Sequence, residues 1–115
     1  MIAEPYATFS LVRVPFPFTD RTTTKRRPAL VVSAPHFQAN SGHVVLAMVT
    51  SATNSSWPLD WTIQELEGTG LRKPCVVRLK LFSLDERLIL NRLGALANRD
   101  RRGVAERLRQ LLPLQ

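Results

Sequence analysis

Two dense apolar runs, RPALVVS at residues 27–33 and HVVLAMVT at residues 43–50, constrain this chain more than any other feature. Valine-rich runs without polar alternation belong to strands covered on both faces. The segment between them, APHFQANSG, ends in Asn40, Ser41 and Gly42, which is turn chemistry with room for one short helical turn. Upstream, SLVRVPF at residues 10–16 alternates and then breaks at Pro15 and Pro17, as a strand does where it leaves a sheet at its edge.

The second half of the chain continues in short strands. TSATNSSWP is a polar loop, DWTIQEL at residues 60–66 has strand character, and EGTGLRKP is the next turn. In CVVRLKLF, Val76, Arg78, Lys80 and Phe82 fall on one face and Val77, Leu79 and Leu81 on the other, so one face is expected to be wet and basic. Asp85 and Glu86 read as the start of a helical turn after Ser83, and NRLGALA at residues 91–97 fits strand or helix. Only the C-terminus is plainly helical. Val104, Leu108, Leu111 and Leu112 recur at helical spacing after Asp100, the expected N-cap, and the helix stops at Pro113. The pattern predicts an α+β, mainly β chain: a small, partly closed barrel or curled sheet packed by one or two helices. At 115 residues it is a single domain, residues 1–115, with room for one site.

Charge narrows the partners. Sixteen Lys and Arg against nine Asp and Glu give a net charge of +7, and no Lys or Arg falls between Pro28 and Leu71. A small basic domain with its charge at both ends of the chain points to a polyanion, nucleic acid first. The single cysteine, Cys75, excludes an intramolecular disulfide and any cysteine-based zinc site, and reads as a small buried apolar residue. MIAEPYATFSLVRV has no signal-peptide pattern and no apolar run reaches membrane-spanning length, so a cytoplasmic protein is expected.

VPFPFTD followed by KRRPALVVS, a strand ending in Val49-Thr50, then VVRLKLFSLDERL and a C-terminal amphipathic helix resemble the MazF/PemK family of toxin endoribonucleases from bacterial toxin–antitoxin systems. The resemblance runs from about Ser10 to Leu112, and its most specific part pairs PFPFTD with RRPALVVS across a short polar loop. Family members usually open the first strand with Gly-Asp, where this chain has Phe9-Ser10. The resemblance implies an SH3-like, CcdB/PemK-like antiparallel sheet with a C-terminal helix, a homodimer, and cleavage of single-stranded RNA without a metal or other cofactor. It also implies a cognate antitoxin that docks an acidic, extended segment in the RNA groove. Arg27 and Thr50 stand at the positions of the family's catalytic pair.

The chemistry suits those two residue types. Attack of a ribose 2′-OH on its own 3′-phosphate builds negative charge on the phosphorane, and the fixed fork of an arginine stabilises it, a contribution of about 3 to 4 kcal/mol per donor in enzymes. Thr50 can donate its hydroxyl to a phosphate oxygen or position the 2′-OH. Neither is a general base, and the base is not visible in the sequence. Ser51 is a further phosphate contact. For RNA binding the loop from Phe16 to Arg26 leads, with Phe18 for stacking, Thr19 beside it, and Lys25 and Arg26 for phosphates; Lys80 on the basic strand face follows.

Plainer readings stand beside each choice. An arginine before a strand is ordinarily a solvated charge, and a threonine ending one is ordinarily β-propensity. His36 and His43 are the obvious bases of an unfamiliar ribonuclease, yet both lie in the connection between the two buried strands. Trp57 and Trp61 fit core or interface better than base stacking. Two rival functions remain: a gyrase-binding toxin of the CcdB kind that cuts nothing, and a simple nucleic-acid-binding module with steep salt dependence and no 2′-OH requirement.

Overall fold

The computed structural model describes residues 4–16 and 25–114. Among these residues six strands form one antiparallel sheet: β1 (Ser10–Phe16), β2 (Lys25–Val31), β3 (His43–Ser51), β4 (Trp61–Thr62), β5 (Cys75–Asp85) and β6 (Asn91–Ala95). A short helix, α1 (Pro35–Ser41), joins β2 to β3, and α2 (Asn98–Leu111) follows β6. The spatial order is β4-β5-β3-β2-β1-β6, which places the two valine-rich strands β2 and β3 side by side in the middle. The curled, half-closed sheet with a C-terminal helix is the fold class expected from the sequence.

Both faces of the central strands are covered, for the reason their sequence gave. One cluster gathers Leu11, Leu30, Ala47, Val49, Val77 and Leu79 with Val104 of α2. The other gathers Val12, Val14, Ala29, Val31, Val44, Leu46 and Leu84, with Tyr6 and Ile89 laid against it. Residues of β1, β2 and β3 divide between the two clusters, so the sheet is covered on both faces at its centre. Gln38 of α1 is buried and ties three segments together, accepting from the Tyr6 amide at 2.7 Å and donating to Glu86 at 3.0 Å. NRLGALA resolves as strand, paired to β1. Asp85 caps the 3-10 turn Glu86–Leu88 by accepting from the Arg87 amide, as its sequence position suggested.

Three expectations need correction. DWTIQEL does not continue as a strand beyond Thr62, because the Gln64 and Glu65 amides turn to Asp100 instead of a ladder partner. Asp100 is therefore not an N-cap: α2 begins at Asn98 after Ala97, and the fully buried Asp100 carboxylate accepts from Trp61 Nε1 (2.9 Å), Gln64 N (2.8 Å) and Glu65 N (3.1 Å). The β5 face is less open than alternation implied, since Val76 is buried and Arg78 is tied up by Asp60.

Trp61 lies on Gly103, where a Cβ would come within 2.5 Å of three indole carbons. Gly103→Ala is expected to destabilise the protein by about 1 to 3 kcal/mol through overpacking, outweighing the ~1 kcal/mol that alanine adds to a helix. A thermal melt checks the sign. Phe9 occupies the left-handed region (φ 71°), which glycine adopts without strain and a residue with a Cβ rarely does. Its amide donates to the Val31 carbonyl (2.7 Å) and its own carbonyl accepts from the Leu96 amide (3.1 Å), which holds the turn in place. Ser10 pairs with Ala95 at the far end of β1 from Val14, the residue opposite Arg27. Ser10 thus lies about 14 Å along β1 from the residue opposite Arg27, at roughly 3.4 Å per strand residue.

Candidate active site

Two prolines shape the sheet where the candidate residues sit. Pro15 of β1 comes after the β6 pairing has ended at Arg13, and Pro28 of β2 comes just before the β3 pairing begins at Ala29. Each proline lacks an amide donor at a point where the strand has a neighbour on one side only. Between Lys25 and Pro28, β2 is therefore paired to β1 alone, and it parts from β3. The gap is a cleft of about 530 Å³ lined by Arg26, Arg27 and Pro28 on one side and by Val49, Thr50 and Ser51 on the other. Thr53, Asn54, Lys73 and Cys75 complete it.

Arg27 and Thr50 thus face one cavity. The last paired rung joins Ala29 to Met48, and two further steps along both strands reach Arg27 and Thr50. Thr50 is held on its other side by β5, opposite Val76. Arg26 and Arg27 are exposed, and neither has a carboxylate within ion-pair distance among the described residues. Uncompensated guanidinium groups at the mouth of a concave site attract a polyanion.

The Thr50 hydroxyl is oriented by a neighbour the sequence did not single out. Asn54 Nδ2 donates to Thr50 Oγ1, so the hydroxyl accepts from Asn54 and its own proton is left for another acceptor. Asn54 is placed by a turn that starts at Ser51: the Asn54 amide donates to the Ser51 carbonyl (3.1 Å), and the Ser51 and Thr53 hydroxyls meet at 2.9 Å. Arg78 of β5 then clamps the rest of the loop. Its guanidinium donates to the Ser55 carbonyl and to both Asp60 carboxylate oxygens (Nε 3.2 Å, Nη2 2.9 Å), and Asp60 also accepts from the Trp57 amide at 3.0 Å. The hydrogen bond to Asp60 raises the Arg78 pKa above its usual value. Because Arg78 and Thr50 share a face of the sheet, this clamp lays the loop over Thr50.

The remaining expected residues divide. Ser51 lines the cleft, though its hydroxyl is engaged within the turn. Lys25 is exposed at the start of β2, outside the cleft lining. Lys80 is exposed and lies over the Trp57 ring, 4.2 Å from its centre, away from the cleft. Phe18 and Thr19 lie outside the described residues. His43 sits at the opposite end of β3 from Thr50, about 24 Å along the strand, and His36 is on α1. Among the described residues no carboxylate or imidazole lines the cleft.

Lys73 and Cys75 were not foreseen as site residues. Lys73 belongs to LRKP, where basic residues resume after the long stretch without Lys or Arg, and that was the available signal. The Cys75 thiol donates to the Lys73 carbonyl (3.3 Å). Burial pushes the thiol pKa up, against a smaller opposing effect of the Lys73 charge, so at neutral pH it packs as a thiol and does not attack as a thiolate.

The fold has close counterparts among solved structures. A mycobacterial endoribonuclease, solved in complex with its cognate antitoxin, superposes with a TM-score of 0.76 at 15% identity, covering 98% of each chain. MazF from Deinococcus radiodurans gives 0.75 at 23% identity over 97% of this chain and 100% of that one. The Mycobacterium tuberculosis toxin MazF-mt6 gives 0.72 at 17% identity over 92% and 98%. No curated protein sequence matches the chain. These likenesses define the class of fold, a MazF-type curled sheet. The model of the PemK-like, MazF-like toxins of type II toxin–antitoxin systems matches residues 8–112, and the chain belongs to that family.

Proposed function

We propose that this single-domain toxin is a cytoplasmic, sequence-selective endoribonuclease that cuts single-stranded RNA without a metal, works as a homodimer, and is held in check by a cognate antitoxin. The observation that carries this reading is the meeting of Arg27 and Thr50 in one cationic cleft, at the point where Pro28 parts β2 from β3. Its support includes membership of the toxin family and the likeness to an endoribonuclease solved with its antitoxin. Among the described residues no helix is long and apolar enough to cross a membrane.

The scissile phosphate sits between Arg27 and Thr50. Arg27 donates to the non-bridging oxygens and strengthens its hold as the phosphorane gathers charge. The hydroxyl of Thr50, turned outward by Asn54, donates to the same phosphate or aligns the attacking 2′-OH. Arg26 and Lys73 on the cleft walls, with Lys25 just outside, hold the flanking strand, and Ser51, Lys80, Phe18 and Thr19 make secondary RNA contacts. The 2′-OH attacks phosphorus, the bond to the 5′ oxygen breaks, and the products are a 2′,3′-cyclic phosphate and a 5′-hydroxyl. Arg26, Arg27 and Lys73 supply positive charge to the developing phosphorane from the cleft walls. The described cleft supplies charge stabilisation and alignment, and the proton acceptor comes from beyond its lining.

Two measurements test this. Purified protein in excess EDTA is expected to cut a mixed-sequence single-stranded RNA, leaving cyclic phosphate and 5′-hydroxyl ends. Intact RNA across varied sequences would overturn the reading in favour of a binding module or another target. Asn54→Leu is expected to lower kcat about tenfold, the weight of one oriented hydrogen bond, with KM little changed. In a Thr50→Val background the same change should have almost no effect, because Asn54 acts through that hydroxyl; additive losses would assign Asn54 a separate role.

A further inference from the structure

The cleft that holds Arg27 and Thr50 opens into another. A second cleft, of about 380 Å³, shares Arg26, Pro28, Lys73 and Cys75 with the first and extends away from it. Its own walls come from Arg13 on β1, Gly70, Leu71 and Arg72 in the β4–β5 connection, and Leu93 on β6. Arg13 stands opposite Pro28 in the sheet, so its side chain rises on the same face.

The approach of that connection depends on Gly70. Its φ of 78° is in the left-handed region, and a Cβ there would overlap the Leu93 carbonyl. Glycine lets the loop press on β6, and Arg72 and Lys73, two and three residues further on, are thereby set beside Arg13 and Arg26. Four cations line one cavity, and among the described residues none has a carboxylate within ion-pair distance. Such crowding of like charge opposes folding and is relieved by a bound polyanion. Leu71 and Leu93 add apolar surface between the cations, suited to a base or ribose.

We infer that this second cleft is a subsite for the RNA strand next to the scissile linkage, gripping flanking phosphates with Arg13, Arg26, Arg72 and Lys73. The inference rests on the first cleft being the cutting site. Continuity decides for RNA over a separate ligand: a strand seated on Arg27 and Thr50 passes Arg26 and Lys73 directly into the second cavity. The enzyme then needs substrate on that side of the cut, and a short oligonucleotide ending at the cleft is a poor one.

The test uses Arg13→Gln with Arg72→Gln, which keep most of each stem and touch only the second cleft; thermal melts confirm folding. Binding of a labelled, mixed-sequence 2′-O-methyl strand, which the proposed chemistry cannot cut, is measured across salt. The slope of log K against log salt is expected to shrink by about 1.4, at roughly 0.7 per lost phosphate contact on a single strand. Arg13→Lys with Arg72→Lys should restore it. On cleavable RNA, kcat/KM should fall for a long strand and stay unchanged for a trinucleotide spanning the same cut. An unchanged slope, or equal losses on both substrates, would overturn the subsite. So would an unchanged slope with weakened binding of an acidic antitoxin segment, which would give the cleft to a protein partner. If wild type binds the strand but cuts no RNA, the cutting site fails while the slope still reads the subsite.

Discussion

Arg27→Ala is expected to lower RNA cleavage by about 10²- to 10³-fold, the usual loss when a preorganised donor to a developing oxyanion is removed. The effect should fall on kcat, because Arg26 and Lys73 remain to hold the strand. The melting temperature should not move. Arg27 is exposed, without a carboxylate partner among the described residues, and its strand stays paired to β1 whatever its side chain. Arg27→Lys separates charge from geometry: a lysine keeps the charge but loses the planar fork, so recovery should be partial. Single-turnover cleavage of one labelled RNA by the three proteins reads all of this, and full activity of Arg27→Ala would remove the residue from the mechanism.

The largest stability effect is expected outside the cleft lining, at Asp100. Its Oδ1 accepts from Trp61 Nε1 and Gln64 N, and its Oδ2 accepts from Glu65 N. Asp100→Ala strands three donors around a fully buried position, at roughly 1 to 3 kcal/mol each before any water enters. A loss of about 3 to 5 kcal/mol is expected, with the melting temperature down by roughly ten degrees or more. Asp100→Asn should fall between: one oxygen still serves Trp61 and Gln64, but the amide nitrogen meets the Glu65 N–H donor to donor. Chemical denaturation of the three proteins gives the order, and equal stability of Asp100→Ala and wild type would refute the account of how α2 is docked.

These residues mark how far the sequence could be read. The central strands were legible because valine-rich runs covered on both faces leave a dense, local pattern, and the curled sheet with its C-terminal helix followed. The β4 segment was misread because its end is set by a carboxylate 35 and 36 positions from the amides it binds, which no periodicity reports. Asp100 looked like a cap for the complementary reason: short acidic residues near a helix start serve caps or buried turns, and only the partner decides. Lys25 and Lys80 were legible as exposed cations, but the lining of the cleft passes them by.

The site was legible in part through resemblance and not through local chemistry. Nothing around Arg27 or Thr50 distinguishes them from a solvated charge and a β-former until Pro28 is seen to end the β3 ladder between them. Asn54 and Lys73 were hidden because loops carry them in: the Arg78 clamp on Asp60 and Ser55 lays one over Thr50, and the close packing at Gly70 brings in the other. Phe18 and Thr19 fall outside the described residues and stay as proposed RNA contacts.

The central claim is that the cleft of Arg27 and Thr50 directs a ribose 2′-OH against its own phosphate. The most direct measurement maps a cut site on a single-stranded RNA, then replaces the one ribose 5′ of that cut with deoxyribose and repeats the digestion in excess EDTA. The account predicts that cleavage at that linkage disappears while other sites in the same strand are cut as before. Continued cleavage at the deoxy position would mean that an external nucleophile does the work, and would contradict the mechanism assigned to Arg27 and Thr50.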